Sequence, residues 1–271
     1  MNANVVAVPT SRLRPWSVAL FTLLVLILID HVHELLARLA AYRALYRAHE
    51  FYVPESIDKV AGFALCLLTV VLLSRANGFR GVSRELGLSA PVLRAFAFAL
   101  VVSSPMWIGF AITRKLTPHI HVAPLLFLTV LSPFVEEVEF RGFGVRFLQR
   151  GTGWPFWLSV WPSALLTGFG HVEQGQTLAE MLGLFFLTAA GGVLFAWLVY
   201  RWQSLWIAIA LHICMNLSWE LFSVARSAIG GWLPFVFQNL TMLLAIVVTL
   251  LRTTSPGGSL EQPRADKPQL A

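Results

Sequence analysis

The six residues Glu136-Glu137-Val138-Glu139-Phe140-Arg141 place three carboxylates and a guanidinium inside a run that is otherwise strongly apolar, from Ala123 through Leu148. Ionisable groups within a bilayer span are costly and face a protein interior or a wet cavity rather than lipid. The stretch therefore implies both a chain that crosses a membrane and a polar chamber within it. Composition agrees with the first point. Of 271 residues, 57% are hydrophobic and 13% charged, against roughly 25% charged in a soluble domain, and the mean hydropathy is +0.71.

Working outward, a spanning helix needs about 20 mainly apolar residues. Eight such segments are predicted, near 15–36, 58–74, 92–113, 123–147, 155–171, 178–200, 204–222 and 232–251. The expected fold class is all-α: a polytopic membrane helical bundle of about eight transmembrane helices. Residues 1–252 form a single bundle, and a Ser-, Pro- and Gly-rich tail over 253–271 is expected to be disordered. Arg12 and Arg14 before an apolar run resemble a signal peptide, but Asp30, His31, His33 and Glu34 interrupt that pattern, and a retained first span is expected. Those four residues are expected to be solvated or to line a substrate entrance. Loop 1–2, Arg38 to Asp58, has a helical mixture of Arg, Ala, Leu and Tyr and is expected to lie on the membrane surface.

Charge orients the bundle. Twelve of the 20 Lys and Arg residues fall in the termini and the second, fourth and sixth loops, and seven in the other loops. The positive-inside rule then puts both ends in the cytoplasm. The net charge of +6 needs no nucleic-acid partner. Cys66 and Cys214 stand alone in apolar runs, with no disulfide framework and no CxxC. No internal repeat of the kind common in transporters is visible.

Three polar constellations fall in three separate spans. In the first, Glu137 and Arg141 are four apart and share a helical face, so they can pair. Glu136 then lies about 100° round and is left over, as a general base poised for proton transfer would be. Glu139 is expected to point elsewhere, toward the helix end or the interface. The second is His171, closing Ser163–His171. The third is His212 and Asn216, one turn apart in the middle of the seventh span. A glutamate, two histidines and an asparagine from three spans meet only around a polar cavity, and they are the inventory for activating water on a carbonyl. No serine or cysteine stands beside them for a covalent route. Glu and His are also zinc-ligand types, but no HExxH is present. An ion-pair cluster, a proton relay in a transporter and a binding scaffold all remain open at this point.

Glu136-Glu137-Val138-Glu139-Phe140-Arg141-Gly142 resembles the EExxxRG signature of the CAAX-protease and bacteriocin-processing family. These are intramembrane glutamate-dependent endopeptidases related to the type II CAAX prenyl protease. Ser204-Leu205-Trp206 through His212-Ile213-Cys214-Met215-Asn216 resembles that family's last motif, HxxxN, and Gly191 and Gly192 fit the glycine-containing helix before it. The middle motif, FxxxH, ends at His171. Thr167 stands where the phenylalanine belongs and Phe169 lies inside the motif, a departure that touches packing more than chemistry. The resemblance covers about residues 120–222.

The resemblance implies an intramembrane endopeptidase acting on a membrane-associated protein or peptide. It implies Glu136 as the base for water, His171 sharing that water, His212 and Asn216 as oxyanion donors, and Glu137 and Arg141 in support. Metal-free and zinc-dependent forms are both entertained for the family. No cofactor is expected here because the ligand set is sparse, though a zinc ion would take Glu136, His171 and His212. The alternative is a non-proteolytic membrane scaffold or bacteriocin-immunity-type protein of the same fold. The expected location is a prokaryotic plasma membrane.

Overall fold

The structure, a computed structural model, describes residues 13–225 and 228–254. The tail expected beyond 253 lies, after Thr254, outside the described residues. No strand occurs among the described residues. The helices are α1 (Pro15–Asp30), α2 (Val32–Leu36), α3 (Ala40–Ala48), α4 (Tyr52–Leu73), α5 (Gly78–Leu86), α6 (Val92–Val102) and α7 (Ser104–Thr113). One helical run then carries α8 (Val122–Leu126), a π-helical segment Phe127–Leu131, α9 (Ser132–Glu136), a second π-helical segment Glu137–Phe147 and α10 (Leu148–Thr152). The chain ends with α11 (Phe156–Phe169), a 3-10 turn Val172–Gln174, α12 (Leu178–Trp202), α13 (Trp206–Leu221) and α14 (Trp232–Thr254).

The apolar residues do not all point inward. Within the most apolar windows of α4, α12 and α14, mean hydropathies of 2.0, 2.1 and 2.0 accompany burial of only 28%, 39% and 22%. Helices that are apolar on their outer faces match a hydrocarbon solvent, as for Leu68, Val71 and Leu72 on α4 and Leu243, Val247 and Leu251 on α14. The chain is an integral membrane protein.

Among the described residues, three of the helices matching the eight expected segments are long and apolar enough to cross a membrane, and a fourth crossing arises if α6 and α7, bent by 44° at Ser103, count as one. α1 ends at Asp30, where the polar run beginning at Asp30 and His31 turns the chain. α11 has 14 residues and α13 has 16, about 21 and 24 Å at 1.5 Å per residue against roughly 30 Å of hydrocarbon. The 122–152 run is interrupted twice by π-helical segments and holds the charged motif. These shorter pieces are the ones that carry the polar residues.

The core is organised on α13. Ile207, Ala208, Ile209, Ala210 and Leu211 are all at or below 1% exposed, so this helix is enclosed on every side. It packs against α6, α7, α9, α12 and the first π segment. The second π segment is in turn flanked by α1, α4, α5, α9, α11 and α12. α12 starts with a capping box, Thr177 accepting from the Glu180 N–H at 3.3 Å while Glu180 reaches back to the Thr177 N–H.

The start of α13 is fixed by the turn after α5. Gly87 closes α5 in the left-handed region at φ 84°, its carbonyl accepts from the Leu205 N–H at 2.9 Å, and the Leu88 carbonyl accepts from the Trp206 indole at 2.9 Å. A Cβ at Gly87 would also approach the Arg146 side chain to 3.1 Å. Gly87→Ala is therefore expected to destabilise the protein by about 1–3 kcal/mol, the cost of a left-handed non-glycine residue, seen as a lower midpoint in a thermal melt of the detergent-solubilised chain.

Candidate active site

A cavity of about 540 Å³ opens inside the bundle. Its walls include Glu136, Glu137, Glu139 and Arg141 from the broken 122–152 run, His171 after α11, and His212 and Asn216 from α13. All six of the sequence-predicted site residues thus face one chamber, and Glu139 joins them.

The two adjacent glutamates are separated by giving each its own partners. Glu136 is the last residue of α9. Its Oε1 accepts from the Lys59 ammonium at 2.8 Å and from the Ser132 hydroxyl, one turn back, at 2.6 Å. Its Oε2 accepts no hydrogen bond and lies 4.0 Å from His212 Nε2. Glu137 opens the second π segment and is fully buried. Its Oε1 meets His212 Nδ1 at 2.8 Å and Arg141 at 3.2 Å, while its Oε2 has no partner among the described residues. The pairing of Glu137 with Arg141 expected from the sequence is present. Arg141 also lies 5.6 Å over the Phe195 ring, and that ring meets the His212 imidazole edge-on at 5.8 Å. Because Nδ1 is turned to Glu137, Nε2 is the His212 nitrogen that faces Glu136.

The remaining predicted residues are placed less directly. His171 lines the cavity, and its Nδ1 meets the Thr167 carbonyl at 2.8 Å. The carbonyl acceptor makes Nδ1 the donor and leaves Nε2 as the nitrogen not engaged by Thr167. Thr167, the departure from the middle motif, is thus the backbone position that orients the histidine. No hydrogen bond or ion pair joins His171 to Glu136 or His212 among the described residues. Asn216 donates its side-chain amide to the Leu128 carbonyl at 3.0 Å, which ties α13 to the first π segment. Ser163 of α11 does the same for the second, donating to the Phe140 carbonyl at 2.8 Å. π-helical segments are rare and concentrate at functional sites, and both of these have a carbonyl held by a side chain from another helix.

Glu139 was expected at a helix end or interface. It is instead 2% exposed, with an Oε1 that has no partner, and it packs into the space left by the missing side chain of Gly62 on α4, where a Cβ would collide with that oxygen. Lys59 is the functional residue that sequence reasoning missed. Read locally it is one more basic residue flanking the first loop, whereas α4 begins at Tyr52 and carries Lys59 two turns into the helix. The available signal was its place at the head of an apolar run, one residue into the span expected from 58.

The donor set does not fit the zinc arrangement considered from the sequence. Glu136, His171 and His212 do not bring three ligand atoms within 4.8 Å of one another; among the described residues only His33, Glu55 and Asp58 meet that spacing. His119, His121 and Glu220 lie outside the cavity lining. Cys66 and Cys214 are free and buried.

Comparison with known proteins agrees with this geometry. Residues 117–218 match the family model described as Type II CAAX prenyl endopeptidase Rce1-like. No curated protein and no solved structure matches the chain. The matched region holds Glu136, Glu137, Arg141, His171, His212 and Asn216, so the stretch that builds the chamber is the stretch that is similar to the Rce1-like family.

Proposed function

We propose that the protein is an intramembrane endopeptidase that hydrolyses a peptide bond of a membrane-associated protein or peptide with a water activated by Glu136. The observation that carries this reading is the asymmetry of the Glu136 carboxylate. Both of its hydrogen-bond donors among the described residues, Lys59 and Ser132, sit on Oε1, while Oε2 accepts no hydrogen bond and stands 4.0 Å from His212 Nε2 in the cavity. A carboxylate held by one oxygen and open at the other is oriented to take a proton at a defined atom.

In this reading Oε2 of Glu136 removes a proton from water, and the unprotonated Nε2 of His171 holds the same water. The resulting hydroxide adds to the peptide carbonyl carbon. As the C=O bond opens, the oxyanion is met by an N–H of His212 at Nε2, its Nδ1 held on Glu137, and by the second amide hydrogen of Asn216. Donors fixed in advance of the reaction, in a site screened from bulk water, are effective because they need not reorganise. Glu136 then returns its proton to the leaving nitrogen as the C–N bond breaks. Lys59, Arg141 and the paired carboxylates keep the resting charge of the chamber close to balance. The shorter helices α1, α11 and α13 and the 122–152 run are embedded with the long ones, so that all eight apolar segments lie in the bilayer and both termini face the cytoplasm of a prokaryotic cell.

Three outcomes are expected. Glu136→Gln lowers turnover of a cleaved reporter by about 10²–10⁴-fold, the usual contribution of a general base, while the chain still inserts and melts cooperatively. Turnover at the wild-type level in purified protein would refute the base, and loss of the cellular phenotype only with loss of the protein itself would favour the scaffold. His212→Ala lowers kcat by about 10²–10³-fold, the range for an oxyanion donor, with KM little changed; a raised KM at constant kcat would argue against that role. Lys59→Met, which strips a charged donor from Oε1, lowers both stability, by about 1–3 kcal/mol, and turnover, and Lys59→Arg restores much of each. Equal activity in Lys59→Met would show that the ammonium does not orient the base.

A further inference from the structure

Lining the same cavity is a second polar group that the peptidase reading does not use. His33 on α2 and Glu55 and Asp58 on the first turns of α4 bring one ligand atom each within 4.8 Å of one another. Glu55 and Asp58 are three apart and share a helical face. Tyr42, from α3, closes the group, donating to Asp58 at 2.7 and 2.8 Å with its oxygen 3.0 Å from His33 Nδ1.

We propose that His33, Glu55 and Asp58 form a binding site for one divalent ion of the zinc type. Three observations converge on it. The first is distance. A tetrahedral zinc with bonds of about 2.0–2.2 Å separates its ligand atoms by roughly 3.3–3.5 Å, and His33 Nδ1 and Asp58 Oδ2 already stand 3.0 Å apart, with Glu55 close by. The second is charge. Asp58 is 6% exposed, yet neither it nor Glu55 forms an ion pair with a lysine or arginine among the described residues. The nearest lysine in sequence, Lys59, has its ammonium on Glu136, and Arg43 is turned to the carbonyls of Ala37 and Arg38. His33 is itself paired with Asp58 at 3.0 Å, so a dication entering here would displace the proton between them, as metal binding to histidine and carboxylate ligands does. The third is access. All three residues line the cavity, which gives an ion a route in and leaves a fourth position for water. Imidazole together with carboxylate selects zinc-like ions over magnesium and calcium, which take oxygen ligands.

The ion would pin α2 onto α4 and so fix the cavity end that Asp30, Val32 and His33 build, one residue along α4 from the lysine that holds Glu136. It takes no part in the hydrolytic step, and its binding is measured without any substrate.

The test is zinc binding by the full chain, tag removed, in detergent, after stripping with chelator and desalting, read by titration calorimetry and by metal content after equilibrium dialysis. One zinc per chain is expected. Glu55→Gln is the most informative variant, because the Glu55 side chain makes no hydrogen bond in the structure and the fold does not lean on it. It weakens zinc binding by about tenfold or more, on the scale of changes around a metal centre. His33→Ala and Asp58→Asn do the same, and zinc raises the melting temperature of wild type but not of these variants. Glu136→Gln binds zinc as wild type does. The site is overturned if the stripped protein takes up no stoichiometric zinc. It is equally overturned if Glu55→Gln and His33→Ala bind as tightly as wild type, or if Glu136→Gln abolishes binding, which would put the ion in the catalytic chamber.

Discussion

Two carboxylates on consecutive residues inside an apolar bundle repel one another and lose hydration, and the rest of the structure is arranged around keeping both. Removing a charge from water costs several kcal/mol even after relaxation, so each must meet a cation or a set of donors. Glu136 and Glu137 do so without sharing one. Glu136 turns to Lys59 and Ser132, and Glu137 turns to Arg141 and His212. The split uses four elements: α4 for the lysine, α9 for the serine, the second π segment for the arginine and α13 for the histidine. Such pairs are weak evidence for stability. Their consequence is geometric, because they fix which oxygen of Glu136 is left free and which nitrogen of His212 faces it.

The π-helical segments follow from the same demand. A regular α-helix from Val122 to Thr152 would repeat its faces every 3.6 residues. Two π segments flank the short α9, and they re-aim the side chains on either side of Glu136. Widened turns leave backbone carbonyls to be satisfied, and an unsatisfied polar group is expensive where no water reaches. Asn216 meets the Leu128 carbonyl and Ser163 meets that of Phe140. Asn216 therefore has a structural duty to the helix that presents Glu136, beside the catalytic one assigned to its second amide hydrogen.

Much of this was legible in the sequence because charge in an apolar run has few explanations. Glu136, Glu137, Arg141, His171, His212 and Asn216 stood out on that ground alone, and they line one chamber. The i, i+4 spacing of Glu137 and Arg141 anticipated their ion pair. The count of spans was less legible. Hydropathy reads composition over a window and does not see that α11 ends at Phe169, that the first span stops at Asp30, or that α6 and α7 bend at Ser103. Glu139 and Lys59 were misplaced for a related reason. Each was judged by its own neighbours in the chain, whereas their positions are set by α4 lying against the second π segment, with Gly62 leaving room for one and Glu136 holding the other. A long-range contact of this kind leaves no trace in local periodicity.

The dependence on α4 bears on how the domain is bounded. The family-matched stretch, 117–218, supplies Glu136, both histidines, the asparagine and the arginine of the chamber. It does not supply the cation on Glu136, nor the glycine that accommodates Glu139; Lys59, 77 residues before Glu136 in the chain, and Gly62 reach the site across helix–helix packing. Without α4, Glu136 would keep only the Ser132 hydroxyl as a donor. A buried carboxylate with so few donors is costly to keep, and Glu136 would lose the contact that fixes which of its oxygens faces the cavity. The catalytic competence assigned to the matched stretch is thus a property of that stretch together with a lipid-facing helix outside it, whose apolar face meets the bilayer while Lys59 faces the chamber.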